Sequence, residues 1–532
     1  MQQNFIPFYK TGYFSSLICD YLDEKSQLNL FYNRFPKIEN FKLQIEEKEL
    51  SFKNESRSVL VESLKKQYQN LETSKNTLQN IERLKSETTF TITTGHQLNL
   101  FTGPLYFLYK IVSAINLSKE LKDEYPNYDF VPVYWMATED HDFEEINYFN
   151  FKGKKVRWNK DASGAVGQLA TDGLEAVLDL FSQDLGVSKN AQILKELFKS
   201  SYIKHDDLAE ATQYLANELF KDYGLVIIDA NNAALKKEFV PFMEQELQKQ
   251  TSFKLVSETN KRLNNLPENY KIQVNPREIN LFYINDGLRE RIVFEDGVYK
   301  VLNTNHSWSK SNMLKHLNEF PERFSPNVIM RPLYQEVILP NLCYIGGGGE
   351  LAYWFQLKAF FDEVNVPFPM LLLRNSVLIQ SERQSKKLKK LHISDEDIFL
   401  KRDAFINKKV REISNIDIDF SPQMNHLKQQ FEDLYKLAEQ TDKSFLGAVK
   451  AQEVKQIKGL ENLEKRLLKA QKRKLSDEVS RMVELQNELF PNGGLQERNA
   501  NFSEFYLEYG EALISNLIER LDPLKAEFSI LT

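Results

Sequence analysis

Cysteine is nearly absent from this chain: 532 residues hold only Cys19 and Cys343. Two thiols cannot staple a disulfide scaffold, so burial must hold the chain together, and a reducing cytoplasm is the expected compartment. No run of eighteen apolar residues occurs, so no membrane contact is expected. The opening Met1-Gln-Gln-Asn-Phe-Ile-Pro7 has neither a basic start nor a continuous apolar stretch, and no signal peptide is read there. A basic surplus is missing as well. The net charge is −6 and the isoelectric point about 5.9, so nucleic acid is not expected as a partner. Gly-x-Ser-x-Gly, Walker A and a complete Gly-x-Gly-x-x-Gly are all lacking, which removes serine hydrolase, P-loop and ordinary dinucleotide readings.

What is present is apolar mass. Residues of apolar type make up 42% and aromatics 12%, including 37 Phe and 23 Tyr, enough to exclude disorder of the whole chain. The length exceeds one core and suggests about three or four units. Residues 1–88 read as a helical lead-in, polar around periodic Leu and Tyr. Residues 89–160 form the first half of an α/β core: a β-branched and aromatic run at 89–94, helical spacing at 105–121 and a second such run at 131–136 make a strand–helix–strand unit.

Residues 161–320 are read as a connecting insertion. It contains helices at 174–181 and 191–198 and a core strand at 224–229. A β-meander follows, with strands at 270–274, 281–284, 291–294 and 298–302, turning at Asn285-Asp-Gly287 and Asp296-Gly297. The core resumes at 321–380 with strands expected at 327–330, 342–345 and 370–373. From 381 to 500 the composition turns to Lys, Glu, Gln and Leu. Leu460, Leu463, Leu467 and Ala470, then Leu475, Val479, Met482 and Leu489, predict long helices in an antiparallel hairpin or coiled coil. The six basic residues within 465–474 lie among acids and read as a solvated face. A final helix is expected at 502–521, in a C-terminal segment 501–532.

In an open parallel sheet, ligands bind at the carboxyl ends of the strands. Three polar motifs fall at such ends. The first is Gly95-His-Gln97, followed by Thr102-Gly-Pro104 before the next helix. Backbone N–H groups at a helix start can hold a phosphate, with His96 adding a proton or positive charge and Lys110 reaching the same anion. The plainer alternative is a tight turn with a packed His and a Pro at the first helical position.

The second motif, Glu139-Asp-His-Asp142, packs three carboxylates and an imidazole into four residues. Like charges this close push proton affinities apart, which suits acid–base work. Metal ligation competes, but the i, i+4 His pair of zinc helices is missing, and carboxylates would favour Mg²⁺ shared with substrate phosphates. An acidic helix cap is the bland alternative. The third motif, Gly346-Gly-Gly-Gly349 before Glu350-Leu-Ala-Tyr353, offers positive φ and close backbone approach. Arg331 and Gln335 stand just upstream, and an Arg there can fork a carboxylate or phosphate. Cys343, in an apolar strand, reads as a core residue.

Taken together, these segments resemble one family, the cysteine-adding enzymes of bacillithiol biosynthesis (BshC). The resemblance is carried by Thr94-Gly-His-Gln-Leu-Asn-Leu-Phe-Thr-Gly-Pro-Leu-Tyr106, Trp135-Met-Ala-Thr-Glu-Asp-His-Asp-Phe-Glu-Glu-Ile146, Phe324-Ser-Pro-Asn-Val328 with Arg331-Pro332, residues 346–353, Pro369-Met-Leu-Leu-Leu-Arg374 and Leu489-Phe-Pro-Asn-Gly-Gly-Leu-Gln-Glu-Arg498. It runs nearly end to end. It departs at His96, where Gln is common in the family, and in the glycine run, where a Pro is common.

The resemblance implies an α/β fold with a Rossmann-like, nucleotidyltransferase-like parallel-sheet core, connecting insertions and an α-helical coiled coil used for homodimerisation. It implies a cytoplasmic ligase that joins L-cysteine by an amide to the amine of glucosaminyl-malate. A free carboxylate needs activation, so ATP, accompanied by Mg²⁺, is the expected activator, through a cysteinyl adenylate. No resident metal site is expected. On that scheme Gly95, His96, Gln97, Thr102, Gly103 and Lys110 meet the nucleotide, and Glu139, Asp140 and His141 orient the amine and take its proton. Gly347, Gly348, Glu350 and Tyr353 close the pocket beside Gln335, while Arg331, Arg374 or Arg498 hold the malyl carboxylates. Two other readings stay open: a nucleotidyl- or aminoacyl-transfer enzyme on another small amine, and a non-catalytic coiled-coil assembly protein with a vestigial nucleotide pocket.

Overall fold

The computed structural model describes residues 3–532. Two compact units divide the chain. One comprises residues 3–9, 13–378 and 496–531, and the other is built on residues 379–495.

The core of the first unit is a parallel sheet of five strands. In spatial order they are Met370–Leu373, Asn341–Gly346, Thr89–His96, Asp129–Met136 and Val226–Asp229. Numbered along the chain this is the order 3-2-1-4-5, with the reversal between Thr89–His96 and Asn341–Gly346. Thr89–His96 is buried along its whole length, as a central strand covered on both faces must be. The crossover helix Tyr106–Glu124 packs Ala114, Leu117 and Leu121 against Phe90, Ile92 and Ile345, and Cys343 joins the same core as a small apolar residue. Phe41 and Ile45, from the lead-in helix Phe41–Ser51, complete this layer.

The expected meander is present, but one of its four predicted strands is not. Antiparallel strands Leu281–Asn285, Leu288–Glu295 and Val298–Val301 turn at Asp286-Gly287 and Asp296-Gly297. Both residues of the second turn have positive φ, as a two-residue hairpin turn requires. Residues 270–274 form no strand, because a side chain takes the place of a neighbouring strand. Gln356 Oε1 accepts from the N–H groups of Gln273 and Val274, each at 3.0 Å, and its Nε2 donates to Val274 O at 2.6 Å. Residues 327–330 are likewise no strand of the parallel sheet. Phe324–Pro326 ends on the meander, and Asn327 Oδ1 then accepts from the N–H groups of Ile329 and Met330, which closes a turn.

The predicted final helix is two helices, Phe502–Tyr509 and Ala512–Arg520. Gly510 breaks it with φ +58, and a Cβ there would lie 3.0 Å from Asn190 Oδ1. A strand that the sequence pattern missed, Glu527–Leu531, then pairs antiparallel with Gln3–Pro7.

The second unit is helical. Ser421–Ala438 and Lys443–Lys474 form an antiparallel hairpin around Phe431, Ala438 and Val449. The helix breaks at Leu475 before Ser476–Leu489. Of the predicted seam Met482 and Leu489 are buried and Leu463 is 52% exposed, while Leu468, next to predicted Leu467, is buried.

Candidate functional site

The strand ends at the reversal of sheet order open into a cleft of about 730 Å³, the position that such topology favours for a ligand. The cleft has two chemically opposite ends.

One end is cationic. Lys110, Arg331, Arg374 and Arg498 all face it. Lys110 is 3% exposed, and its ammonium donates to Gly95 O and meets Glu350 Oε2, each at 2.6 Å. Burial pushes its proton affinity down, against the pull of Glu350. Burial raises Glu350, but Lys110, the Gly347 N–H at 2.8 Å and the Tyr344 hydroxyl at 2.8 Å hold it below its usual value. Arg374 pairs with buried Glu497 at 2.8 Å, and its Nε has no partner. Its guanidinium lies 4.7 Å from the Tyr106 ring centre, and that of Arg498 lies 5.8 Å from the same ring. Arg331 donates to Gln335 Oε1 and to the Tyr353 hydroxyl, each at 3.1 Å. Among the described residues, neither Arg331 nor Arg498 has a carboxylate partner. Four cations therefore face two carboxylates, Glu350 and Glu497.

The other end holds the acids, interleaved with Arg289 and Arg291 of the hairpin, and is differently built. Glu139 is paired with Lys236, whose side chain is fully buried and also donates to Phe324 O at 2.5 Å. Burial raises Glu139, while Lys236 and Arg289 pull it back. Asp140 accepts from the His141 N–H at 2.8 Å and from Gln97 Nε2 at 2.9 Å. Burial pushes Asp140 up, but His141, Gln97 and the Arg289 charge outweigh it and hold the carboxyl well below the usual range. Arg289 donates to His141 Nδ1 at 2.7 Å, so that nitrogen is an acceptor and the ring proton sits on Nε2. Arg289 also stacks on Phe282, 4.0 Å from the ring centre. Asp140, His141 and Asp142 could each offer a ligand atom within 4.8 Å of one another. The Arg289 cation already occupies His141 Nδ1, and Gln97 and the backbone occupy both Asp140 oxygens, so this donor set fits a metal poorly.

The structure thus gathers Gly95, His96, Gln97, Lys110, Glu139, Asp140, His141, Arg331, Gly347, Glu350, Tyr353, Arg374 and Arg498 around one cleft. It sets four predicted residues outside it. Thr102 and Gly103 lie in a tight turn, where Asn501 Nδ2 donates to Phe101 O at 2.8 Å and to Gly103 O at 2.6 Å. The Phe101 N–H is taken by the Tyr202 hydroxyl and the Leu105 N–H by Ala500 O, so this helix start has no free N–H cradle for a phosphate. Gly348 packs against Ile18 and Gln335 is buried below the cleft floor.

His96 lines the cleft but supplies no positive charge. Burial and nearby Lys110 lower it to about 3, and its ring meets Tyr106 edge-on and Phe107 at a tilt. The glycine run works by close approach: none of its residues has positive φ, and a Cβ on Gly346 would lie 2.9 Å from Tyr344 and Leu351 side-chain carbons. Lys236, Arg289, Tyr106, Tyr344 and Glu497 went unread in the sequence. Tyr106 and Glu497, each inside a family motif, carried a signal; an Arg in a hairpin strand carries none.

Two family models match. Residues 1–375 match "Bacillithiol biosynthesis BshC, N-terminal Rossmann-like domain", and residues 377–532 match the "C-terminal coiled-coil domain" of the same family. A Flavobacterium johnsoniae protein is 62% identical over 532 residues, covering 100% of both chains. A Cytophaga hutchinsonii protein is 39% identical over 514 residues, covering 96% of this chain and 95% of its own. One from Bacillus mycoides is 28% identical over 527 residues, covering 95% of each. All three bear the name "Putative cysteine ligase BshC".

Proposed function

Because the chain belongs to the BshC family of bacillithiol biosynthesis, we propose that it is a ligase joining the carboxyl group of L-cysteine to the amine of glucosaminyl-malate. The observation that carries this reading is the unequal charge of the cleft. Arg331 and Arg498 have no carboxylate of their own and suit the two carboxylates of a malyl group. Lys110 and Arg374 already have partners and shape that end.

The acidic end faces amines. Asp140, held so far below the ordinary carboxylate range, stays an anion and is a weak base; it suits holding an ammonium group rather than taking its proton. Glu139, raised by burial and restrained by Lys236, is the group proposed to take the amine proton. His141 presents Nε2–H and acts as a donor toward a carbonyl or carboxylate oxygen. Amide formation joins the amine nitrogen to the cysteine carbonyl carbon, releases a proton from nitrogen and expels one carboxyl oxygen on its activating group. ATP with Mg²⁺ is proposed as the source of that group, bound elsewhere along the cleft than the closed turn at Thr102-Gly103. A homodimer in the cytoplasm is proposed on the coiled-coil family match and on Leu437, Phe445 and Leu463, which the helical hairpin leaves 46–55% exposed.

The test is purified protein with L-cysteine and glucosaminyl-malate, with and without Mg-ATP, read by mass spectrometry. Bacillithiol formed only with ATP supports the whole scheme. Product from another amine but none from glucosaminyl-malate would favour a general aminoacyl transferase.

A further inference from the structure

Gln335 stands apart from the cleft, yet its side chain ends on a residue that lines it. Arg331 Nη1 donates to Gln335 Oε1 at 3.1 Å, and Gln335 Nε2 donates to Glu336 Oε1 at 2.9 Å. Glu336 Oε1 also accepts from Asn341 Nδ2 at 2.7 Å, and Oε2 accepts from Lys48 Nζ at 3.2 Å. The side chains of Lys48 and Glu336 are 1% and 0% exposed. Asn341 Oδ1 in turn accepts from the hydroxyls of Thr93 at 2.8 Å and Thr91 at 3.3 Å, on the central strand.

An amide has one donor end and one acceptor end, and here only one orientation works. Burial raises Glu336, and the donors Lys48, Asn341 and Gln335 counter it; a carboxylate with donors on both oxygens acts as acceptor, so Glu336 draws the Gln335 NH₂ group toward itself. The Oε1 atom is thereby turned to Arg331. The flipped amide would set donor against donor at Arg331 and acceptor against acceptor at Glu336. The charge arithmetic has a second consequence. A carboxylate at position 335 would anchor Arg331 more tightly but would neutralise it. The negative charge instead sits one residue farther on, where Lys48 from the lead-in helix balances it.

We propose that Gln335, oriented by the buried Lys48–Glu336 pair, is a positioning residue that holds Arg331 in the cleft with its full charge available to an anionic substrate. This rests on the reading that Arg331 meets a carboxylate of the glucosaminyl-malate acceptor. The competing role is a plain staple between the lead-in helix Phe41–Ser51 and helix Arg331–Ile338, which would affect all ligands alike.

The experiment is titration calorimetry of the full chain with glucosaminyl-malate and, separately, with L-cysteine, for wild type, Arg331→Ala, Gln335→Glu and Gln335→Met. Losing a charge-assisted hydrogen bond should weaken glucosaminyl-malate about tenfold or more in Arg331→Ala and Gln335→Glu, with cysteine binding unchanged. Gln335→Met, which frees Arg331 without discharging it, should lose less, about threefold. A weakened Arg331→Ala beside a normal Gln335→Glu would overturn the positioning role alone. A normal Arg331→Ala, or a wild type that does not bind glucosaminyl-malate, would overturn the functional reading and this inference with it. Should Gln335→Glu fail to fold, Gln335→Met decides. A loss confined to glucosaminyl-malate supports the role, and no loss, or an equal loss for both ligands, sinks it.

Discussion

The two ends of the cleft use charge in opposite ways. At the cationic end, Arg331 is anchored by neutral groups and Arg498 only flanks a tyrosine ring, so positive charge is left over. At the acidic end, Glu139 and Asp140 are tied to Lys236, Gln97, Arg289 and backbone N–H groups. The first arrangement is unfinished without an anion. The second is a finished network whose parts are stiff. The comparison teaches that residue type alone does not say which groups of a cluster are available, because their neighbours decide it.

The largest break in this comparison should come from removing the unpaired charge. Arg331→Ala combined with Arg498→Ala should lower kcat/KM for glucosaminyl-malate about a hundredfold or more, as loss of desolvated charge contacts does. Steady-state kinetics should show the change in the KM of that substrate, and an unchanged KM would refute the assignment of this end. Next comes the finished network. Lys236→Met leaves the Glu139 charge buried and uncompensated, which should cost about 3 kcal/mol in urea unfolding. Adding Glu139→Gln should restore most of it, and a double variant as unstable as the single one would argue against the pairing.

A smaller effect is expected at Arg289. Arg289→Gln removes the donor that fixes the His141 ring, and the KM for cysteine should rise about tenfold. Nitrogen-15 spectra of the histidine rings should then show His141 losing its preference for the Nε2–H form.

The last effect is a slope, spread over several pH units. His96 sits at about 3 in the folded chain, against about 6.5 when unfolded. Below pH 6.5 the unfolded chain binds the extra proton, so stability falls as pH drops from 6.5 toward 3, by up to about 1.4 kcal/mol per pH unit. His96→Gln should flatten that part of the curve, and identical slopes would contradict the buried neutral ring.

The strand–helix–strand start of the core was readable from residues 89–136, since β-branched runs ended at small and polar residues where a helix should begin. Residues 270–274 looked equally strand-like, and failed because Gln356, eighty residues away, satisfied their backbone. The same limit applies to the site. Thr102-Gly103 had the composition of a phosphate turn, but Asn501 and Tyr202 claimed its polar groups. Period and turn chemistry are local quantities, whereas the hydrogen-bond partners that decide between uses of a motif come from anywhere in the chain.

By itself the sequence determined the class of core, the place of its strand ends and the residue types gathered there, because these follow from apolar periodicity and from small residues at fixed spacing. Only the tertiary structure decided which of those groups are free. It brought Arg289 onto His141 from a distant hairpin, Lys236 onto Glu139 from a following helix, and Lys48 onto Glu336 from the lead-in. Whether a charged side chain binds a substrate or its own neighbour depends on what desolvates and faces it, and that is settled when the chain packs.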